Sequence, residues 1–466
     1  MGVMGIMING YSEEIIKSRI FTEGVLDDLS QVAKKNNLID PEFYTKYDVK
    51  RGLRNENGTG VLVGLTEIGN VHGYISDGGE RIPDEGKLTY RGIDVMEIVD
   101  GFQREDRFGF EEVCYLLLFG ELPNKSSLLK FERILGECRT LPDGFTEDMI
   151  LKFPSNNIMN KLQRTVLATY SFDNNPDDTG VKNILRQSIE LIARIPTMIA
   201  YGYQAKTHYY DNQSLFLHSP RPELSTAENI LYMIRSNNDY SRTEAEVLDL
   251  ALVLHAEHGG GNNSAFATHV VSSTGTDTYS AIAAAVGSLK GPKHGGANIK
   301  VLGMIEDIKS NVKDWGNTAE IREYLIKILN KKAFDGAGLI YGMGHAIYTL
   351  SDPRSVLLKE KALDLAKEKG RTDEFNFYRN IENLSIELFR ELKGNNAICA
   401  NVDFYSGFVY DMLNIPRELY TPLFAAARVP GWCSHRIEQV VSEPKIIRPA
   451  YKNVRNMQEY VSLINR

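Results

Sequence analysis

The chain has 466 residues, 42% hydrophobic and 24% charged, with a formal net charge of −8. That is ample for a large core and for two domains. An acidic chain without a Lys/Arg-rich block is a poor partner for nucleic acid or an anionic membrane, so an anionic ligand would need cations gathered locally. The N-terminus, MGVMGIMINGYSEEIIKSR, lacks the basic segment and cleavage site of a signal peptide. Ile6 stands where N-myristoylation wants Ser or Thr. No apolar run approaches the ~18 residues of a spanning helix. Cys114, Cys138, Cys399 and Cys433 form no CxxC pair, so neither zinc knuckle nor disulfide framework is indicated. The expectation is a soluble, cytoplasmic protein.

In chain order, VLVGLTEIGNVHGY (61–74) is the one candidate hairpin. STAENILYMIR (225–235) opens with a Ser225–Glu228 capping box. TEAEVLDLALVLHAEH (243–258) offers a Thr243–Glu246 box, with Val247, Ala251, Leu254 and His258 on one helical face. Residues 309–316 read as a polar break. NTAEIREYLIKILN (317–330) follows, with Asn317 and Glu320 at its start and a stripe of Ile321, Leu325 and Ile328. Asp352 as N-cap and Pro353 at the first position begin a helix to about Lys369, stopped by Gly370. Residues 393–395 form a polar turn. The βαβ rhythm of a parallel sheet is missing, so the fold class is mostly α. With no long linker, a second domain would pack closely on the first.

Four stretches carry chemistry. In HAEHGGGNNSAF (255–266), His258 ends a helix ahead of three glycines. As a metal pair, His255 and His258 have i, i+3 spacing rather than the i, i+4 of zincins; a structural histidine is the plainer alternative. In GPKHGGAN (291–298), a helix begins near Gly296, and its positive end disfavours imidazolium. His294 is thus expected to be neutral and able to donate one hydrogen bond, as a developing enolate requires. An ordinary loop histidine fits that stretch as well. In YGMGHAIYTLSDPR (341–354), the dinucleotide reading of Gly342-Met343-Gly344 fails, because Ile347 occupies the third glycine's place. What remains is His345 and Arg354 flanking a helix start. In NVDFYSG (401–407), Asp403 sits among Val402, Phe404 and Tyr405, surroundings that raise a carboxyl pKa and make a better base. Arg428 follows the apolar run Leu423–Ala427, where a charge needs an anionic partner, either a structural ion pair or a ligand. The set suits carbanion chemistry on a polycarboxylate.

The stretches GPKHGGAN, YGMGHAIYTLSDPR and NVDFYSG, in that order, resemble the three catalytic segments of citrate synthases, and LHAEHGGGNNSAF resembles their oxaloacetate-binding histidine segment. Weaker similarities, LTYRGIDVMEIV and FEEVCYLLLFGELP, extend upstream, so the resemblance covers about residues 60–455. It implies a two-domain helical homodimer with the active site in the cleft: a large domain of residues 1–295 and 415–466, and a small domain of 296–414. It implies an acyltransferase that joins acetyl-CoA to oxaloacetate, with Asp403 as base, His294 on the enolate oxygen and His345 on the oxaloacetate carbonyl. His258, Arg354 and Arg428 would hold oxaloacetate, and Arg448 would reach the partner subunit's site. Coenzyme A enters as substrate; no metal and no tightly bound cofactor are implied. Two features depart from the pattern. Many bacterial relatives carry Arg and Lys where Ala346 and Thr349 stand, which leaves the cations for the CoA phosphates unassigned. The first 55 or so residues lie outside the resemblance. The rivals are a 2-methylcitrate synthase, differing by one methylene worth about 1 to 3 kcal/mol; a non-catalytic homologue, which loss of His294, His345 or Asp403 would have marked; and a metal hydrolase built on His255 and His258.

Overall fold

The computed structural model describes residues 23–55, 57–77, 80–394, 397–442 and 445–466. The N-terminal stretch read for targeting signals and Asn395 of the polar turn lie outside them. Among the described residues are seventeen α-helices and one three-stranded antiparallel sheet, so the chain is mostly α, as expected. No helix among them is long and apolar enough to cross a membrane. The four cysteines are free; Cys114, Cys399 and Cys433 are buried.

Two compact units are formed. One comprises the described residues up to Val63 together with Pro449–Arg466. It holds a helix Glu23–Asn37, a short helix Glu42–Lys46 and a largely irregular C-terminal segment. The other, Gly64–Arg448, carries all the residues singled out for chemistry.

At the centre of that second unit lies the helix Tyr420–Ser442, packed on Val181–Asp211, Phe110–Phe119 and Arg242–His255. Its Leu423, Ala425, Ala426, Ala427, Val429, Trp432 and Cys433 are buried. Small side chains allow the close approach. A Cβ on Gly431 would lie 2.5 Å from the Ala256 carbonyl oxygen and would also strike the Glu257 carboxylate, so nothing larger fits there.

The helix Thr226–Ile234 starts at the Ser225–Glu228 capping box read from sequence. The next helix differs. It spans Arg242–His255, and its box is Ser241–Glu244, not Thr243–Glu246. Glu244 also takes Arg235 and Lys369 (2.8 Å each), whereas Glu246 pairs outward with Arg242. The expected stripe is not a stripe, because Val247 to His255 are all buried; a helix in the middle of a core needs no polar face. His258 lies beyond the helix end, in the loop closed by Gly259 at φ +79°. Asn317 caps Thr318–Leu329 as expected, but Glu320 accepts from the N–H groups of Lys313 and Asp314 instead of completing a box. The polar break begins later than read, since a helix runs from Ala297 to Asn311. Pro353–Glu368 has the Asp352 cap and the stop before Gly370 (φ +66°) that were expected.

The hairpin is also displaced. Strand β1 is Gly69–Asp77, β2 Glu80–Tyr90 and β3 Ile93–Asp94. Only Leu88 and Tyr90 of β2 are buried, so its sequence lacks the apolar alternation that announces a strand. The hairpin grips the loop that carries His345. Gly73, at a bulge in the β1–β2 register, accepts a hydrogen bond from the Thr349 hydroxyl. The Asp84 N–H donates to Thr349 Oγ1 (3.2 Å), Gly86 N–H to Ser351 Oγ (3.0 Å), and Arg81 to the Ala346 carbonyl (3.1 Å).

Candidate active site

Five segments of Gly64–Arg448 bring six of the seven singled-out residues into one electrostatic neighbourhood. His258 comes from the loop after Arg242–His255. Its ring stands edge-on to His345, centroids 5.2 Å apart, and 5.7 Å from Tyr348. His258 is buried, and its Nε2 has no hydrogen-bond partner among the described residues. Burial, then the charges of Arg354, His345, Arg428 and His255, push its pKa well below that of an ordinary imidazole, so it is neutral. His345 Nδ1 accepts from the N–H groups of Ile347 (3.1 Å) and Tyr348 (3.2 Å). In the neutral ring the proton therefore sits on Nε2, which makes that nitrogen the donor.

Arg354, in the first turn of Pro353–Glu368, is buried and lies 5.3 Å from the Tyr348 ring centroid. Asp352 grips it with two hydrogen bonds, from Nε at 3.0 Å and Nη2 at 2.8 Å. Burial works against its charge, but Asp352 outweighs burial and holds the guanidinium above its usual pKa. Arg428 is 1% exposed. Its Nε donates to the His255 carbonyl, while Nη1 has no partner among the described residues. Burial lowers its pKa to about 10, so it remains a cation at neutral pH, with an unsatisfied fork that suits a carboxylate.

Asp403 stands in the first turn of Val402–Met412, where Asn401 caps its N–H at 3.0 Å. A helix start favours a carboxylate, yet burial wins. The carboxyl is pushed up to about 6, with Arg354 and Arg428 pulling it down and Asp352 pushing it up. His294 precedes Ala297–Asn311 as expected. Its pKa falls to about 4, mainly through burial and then the charge of Arg428; burial, rather than the helix end, is the leading cause of its neutrality. His294 Nε2 lies 3.1 Å from Ser264 Oγ, which also accepts from the Trp432 indole N–H at 3.1 Å.

Arg448 is different. It is exposed, in the irregular segment after Tyr420–Ser442, and shares no hydrogen bond, ion pair or ring contact with the other six among the described residues. Of the candidate metal pair, His255 Nδ1 bonds the Ala251 carbonyl at 2.8 Å and its ring packs edge-on against Phe424, while its Nε2, like that of His258, has no hydrogen-bond partner among the described residues. Burial pushes His255 down to about 3.

Sequence reading missed four contributors. Asp352 was seen only as a cap. Tyr348 and Ser264 lie inside quoted motifs but carry no pattern of their own. The hairpin was misplaced, although Gly73 and Gly86, whose Cβ atoms would clash with Ile347–Tyr348 and Ser351, marked the close approach. What the site offers chemically is one base poised near pH 6, three histidines, two of them held neutral by burial, and two buried cations.

The family model described as citrate synthase, C-terminal domain, matches residues 57–450. A citrate synthase of Synechocystis sp. is 36% identical over 366 residues, 78% of this chain and 84% of that protein. The 2-methylcitrate synthase 1 of Corynebacterium glutamicum is 31% identical over 415 residues, 87% of this chain and 96% of that one. Among solved structures, the citrate synthase of Thermoplasma acidophilum, in a ternary complex with carboxymethyl coenzyme A and oxaloacetate, superposes with a TM-score of 0.71 at 26% identity, covering 89% of this chain and 98% of the other. The helical fold is that of an acyltransferase-type condensing enzyme, and the chain belongs to the citrate synthase family.

Proposed function

We propose that the protein condenses acetyl-CoA with oxaloacetate and water to give citrate and CoA. The observation that carries this reading is Asp403, a half-buried carboxyl whose desolvation raises it to about 6, in the same cluster as two buried arginines. A base of that strength is mostly ionised at neutral pH and still basic enough to take a methyl proton next to a thioester carbonyl. His294 would stabilise the enolate oxygen. The Ser264 hydroxyl has two acceptors in reach, Asn262 Oδ1 at 2.8 Å and His294 Nε2 at 3.1 Å; donated to His294, its proton leaves Nδ1–H free for the enolate. His345, protonated on Nε2, would polarise the oxaloacetate carbonyl and supply its proton as the new C–C bond forms. His258, Arg354 and Arg428 would hold the oxaloacetate carboxylates. Arg448, exposed in its own chain, would complete the site of a partner subunit in a homodimer.

The large domain (1–295 and 415–466) would close on the small one (296–414) around oxaloacetate, excluding water until condensation is complete. The deciding assay is thiol release from acetyl-CoA with and without oxaloacetate; release that does not depend on oxaloacetate, or no release at all, would remove the reading. The second reading is 2-methylcitrate synthesis from propionyl-CoA, favoured by relatives of that name at 31% identity. A kcat/KM for propionyl-CoA above that for acetyl-CoA would select it.

A further inference from the structure

Behind the loop of His258 runs a chain of polar side chains that the condensation does not use. His435, on Tyr420–Ser442, is fully buried. Its Nε2 lies 3.0 Å from Glu257 Oε1. His269, on Asn263–Ser272, directs Nδ1 at Gln439 Oε1, 2.9 Å away. Both acceptors are acyl oxygens, so each of these ring nitrogens carries its proton. The other two nitrogens, His435 Nδ1 and His269 Nε2, face each other at 3.1 Å. With both rings neutral in those tautomers the facing nitrogens would present only lone pairs. Burial opposes a charge on His435, but Glu257 and Glu438 raise its pKa to about 9, so a proton on Nδ1 bridges the rings and is what a metal ion would replace.

Glu438 supplies a third donor. Its Oε2 accepts the Glu67 N–H at 2.8 Å. Its Oε1 is buried, has no hydrogen-bond partner among the described residues and lies 3.9 Å from His435 Nδ1. Ligand atoms of His269, His435 and Glu438 all lie within 4.8 Å of one another.

We propose that His435 Nδ1, His269 Nε2 and Glu438 Oε1 bind one divalent cation of the zinc class. Zinc–nitrogen bonds of about 2.0 to 2.1 Å at a tetrahedral angle place two ligand nitrogens roughly 3.3 Å apart, close to the spacing already present. The Glu438 oxygen, 3.9 Å from His435 Nδ1 and within 4.8 Å of the His269 ligand atom, must move in by roughly an ångström to match. The outer partners are those a metal histidine needs: a carboxylate behind His435 and an amide oxygen behind His269 fix each tautomer and aim each ring. Two imidazoles and one carboxylate are borderline donors suited to zinc rather than to magnesium or calcium. A fourth position is left for solvent, and Glu438, whose side chain is 14% exposed, provides the way in. The site shares no ligand with the condensation cluster; Glu257, which orients His435, directly precedes His258.

The test uses the untagged full-length chain, stripped with a chelator and equilibrated with zinc or cobalt(II). Metal content is measured after gel filtration. One metal per chain is expected, together with the intense visible absorption of tetrahedral cobalt(II). Glu438→Gln and His269→Gln should weaken binding at least about tenfold, and Glu257→Gln by about 10- to 100-fold. Substoichiometric metal, a cobalt spectrum of the octahedral aquo ion, or equal affinity in Glu438→Gln and wild type would each overturn the proposal and leave a proton between the rings. Should the variants fail to fold, the wild-type spectrum decides alone. The readout is metal content, so it is independent of whether the chain condenses acetyl-CoA.

Discussion

Asp352 binds Arg354 three times: twice through the guanidinium, at 3.0 and 2.8 Å, and once through the backbone N–H at 3.0 Å. Its Oδ2 also accepts from the Val402 N–H at 3.3 Å, which ties the arginine to the helix that presents Asp403. One carboxylate thereby sets the distance between the proposed substrate clamp and the proposed base. Asp352→Asn keeps the cap but leaves a buried guanidinium without its counter-charge. Breaking a buried pair on one side costs about 3 to 5 kcal/mol. Urea unfolding of the variant should show a loss of that order; an unchanged midpoint would mean that Arg354 finds another anion.

Asp403→Asn should retain the fold and lose about 10²- to 10⁴-fold in turnover, because an amide cannot accept the methyl proton. In the wild type the carboxyl must be ionised to act, so kcat/KM should fall as pH drops through about 6. Stability runs the other way. The folded pKa is raised above the ordinary carboxyl value of 3.8, so the folded state binds the proton more tightly than the unfolded chain, and the variant's stability relative to wild type should grow as pH rises from about 4 to 6. A pH profile whose acid limb stays in place when Asp403 is replaced would assign that limb to another group.

Helix existence and the order of the chemical motifs were legible in the sequence because both depend on local spacing. Asp352-Pro353 announced its helix, and Ser225–Glu228 its capping box. The Thr243 box failed because Ser241 and Glu244 offer the same spacing two residues earlier, and Glu244 is chosen by Arg235 and Lys369, residues that a local window does not see. His258 was assigned to a helix face because burial on every side of Arg242–His255 mimics an extended stripe. The histidine identities could be read, but not their protonation: the neutrality of His294 comes mainly from burial, which is a property of packing. Ala346 and Thr349, read from sequence only as departures from the family pattern, are held by the hairpin through the Ala346 carbonyl and the Thr349 hydroxyl.

Thr349→Val should loosen that grip. The hydroxyl donates to the Gly73 carbonyl and accepts from the Asp84 N–H, and valine does neither. Each buried polar group left unpaired costs about 1 to 3 kcal/mol. The His345 loop should exchange its amide hydrogens faster than in wild type, with the KM for oxaloacetate raised. Unchanged exchange at Ile347 and Tyr348 would show that Gly86–Ser351 and Arg81–Ala346 suffice to hold the loop.

Glu244 predicts the acid limit of stability. Burial opposes its charge, but Arg235, Lys369 and the Ser241 N–H hold its pKa down at about 2. Because the folded value is depressed, its stabilisation is present above the unfolded value near 4.5 and is lost as pH falls toward about 2. Glu244→Gln should therefore be less stable than wild type at pH 7, with the difference shrinking on acidification. A difference that is constant from pH 7 to pH 3 would mean that the residue contributes only as a cap.

The exposed position of Arg448 gives the assembly prediction. If Arg448 completes a partner's site, Asp403→Asn and Arg448→Ala chains are each inactive as homodimers. In a mixed dimer, one site takes Asp403 from the Arg448→Ala chain and Arg448 from the Asp403→Asn chain, so it is intact; the other carries both defects. Random reassociation of equal amounts makes half of the dimers mixed, each with one working site of two. Activity should then return to about a quarter of wild type per chain, following the two-fold symmetry of a shared interface. Proof of subunit exchange by mass spectrometry without any recovery would place Arg448 in its own chain's site or outside the site altogether, and would leave Asp403, His294 and His345 to be tested within a single subunit.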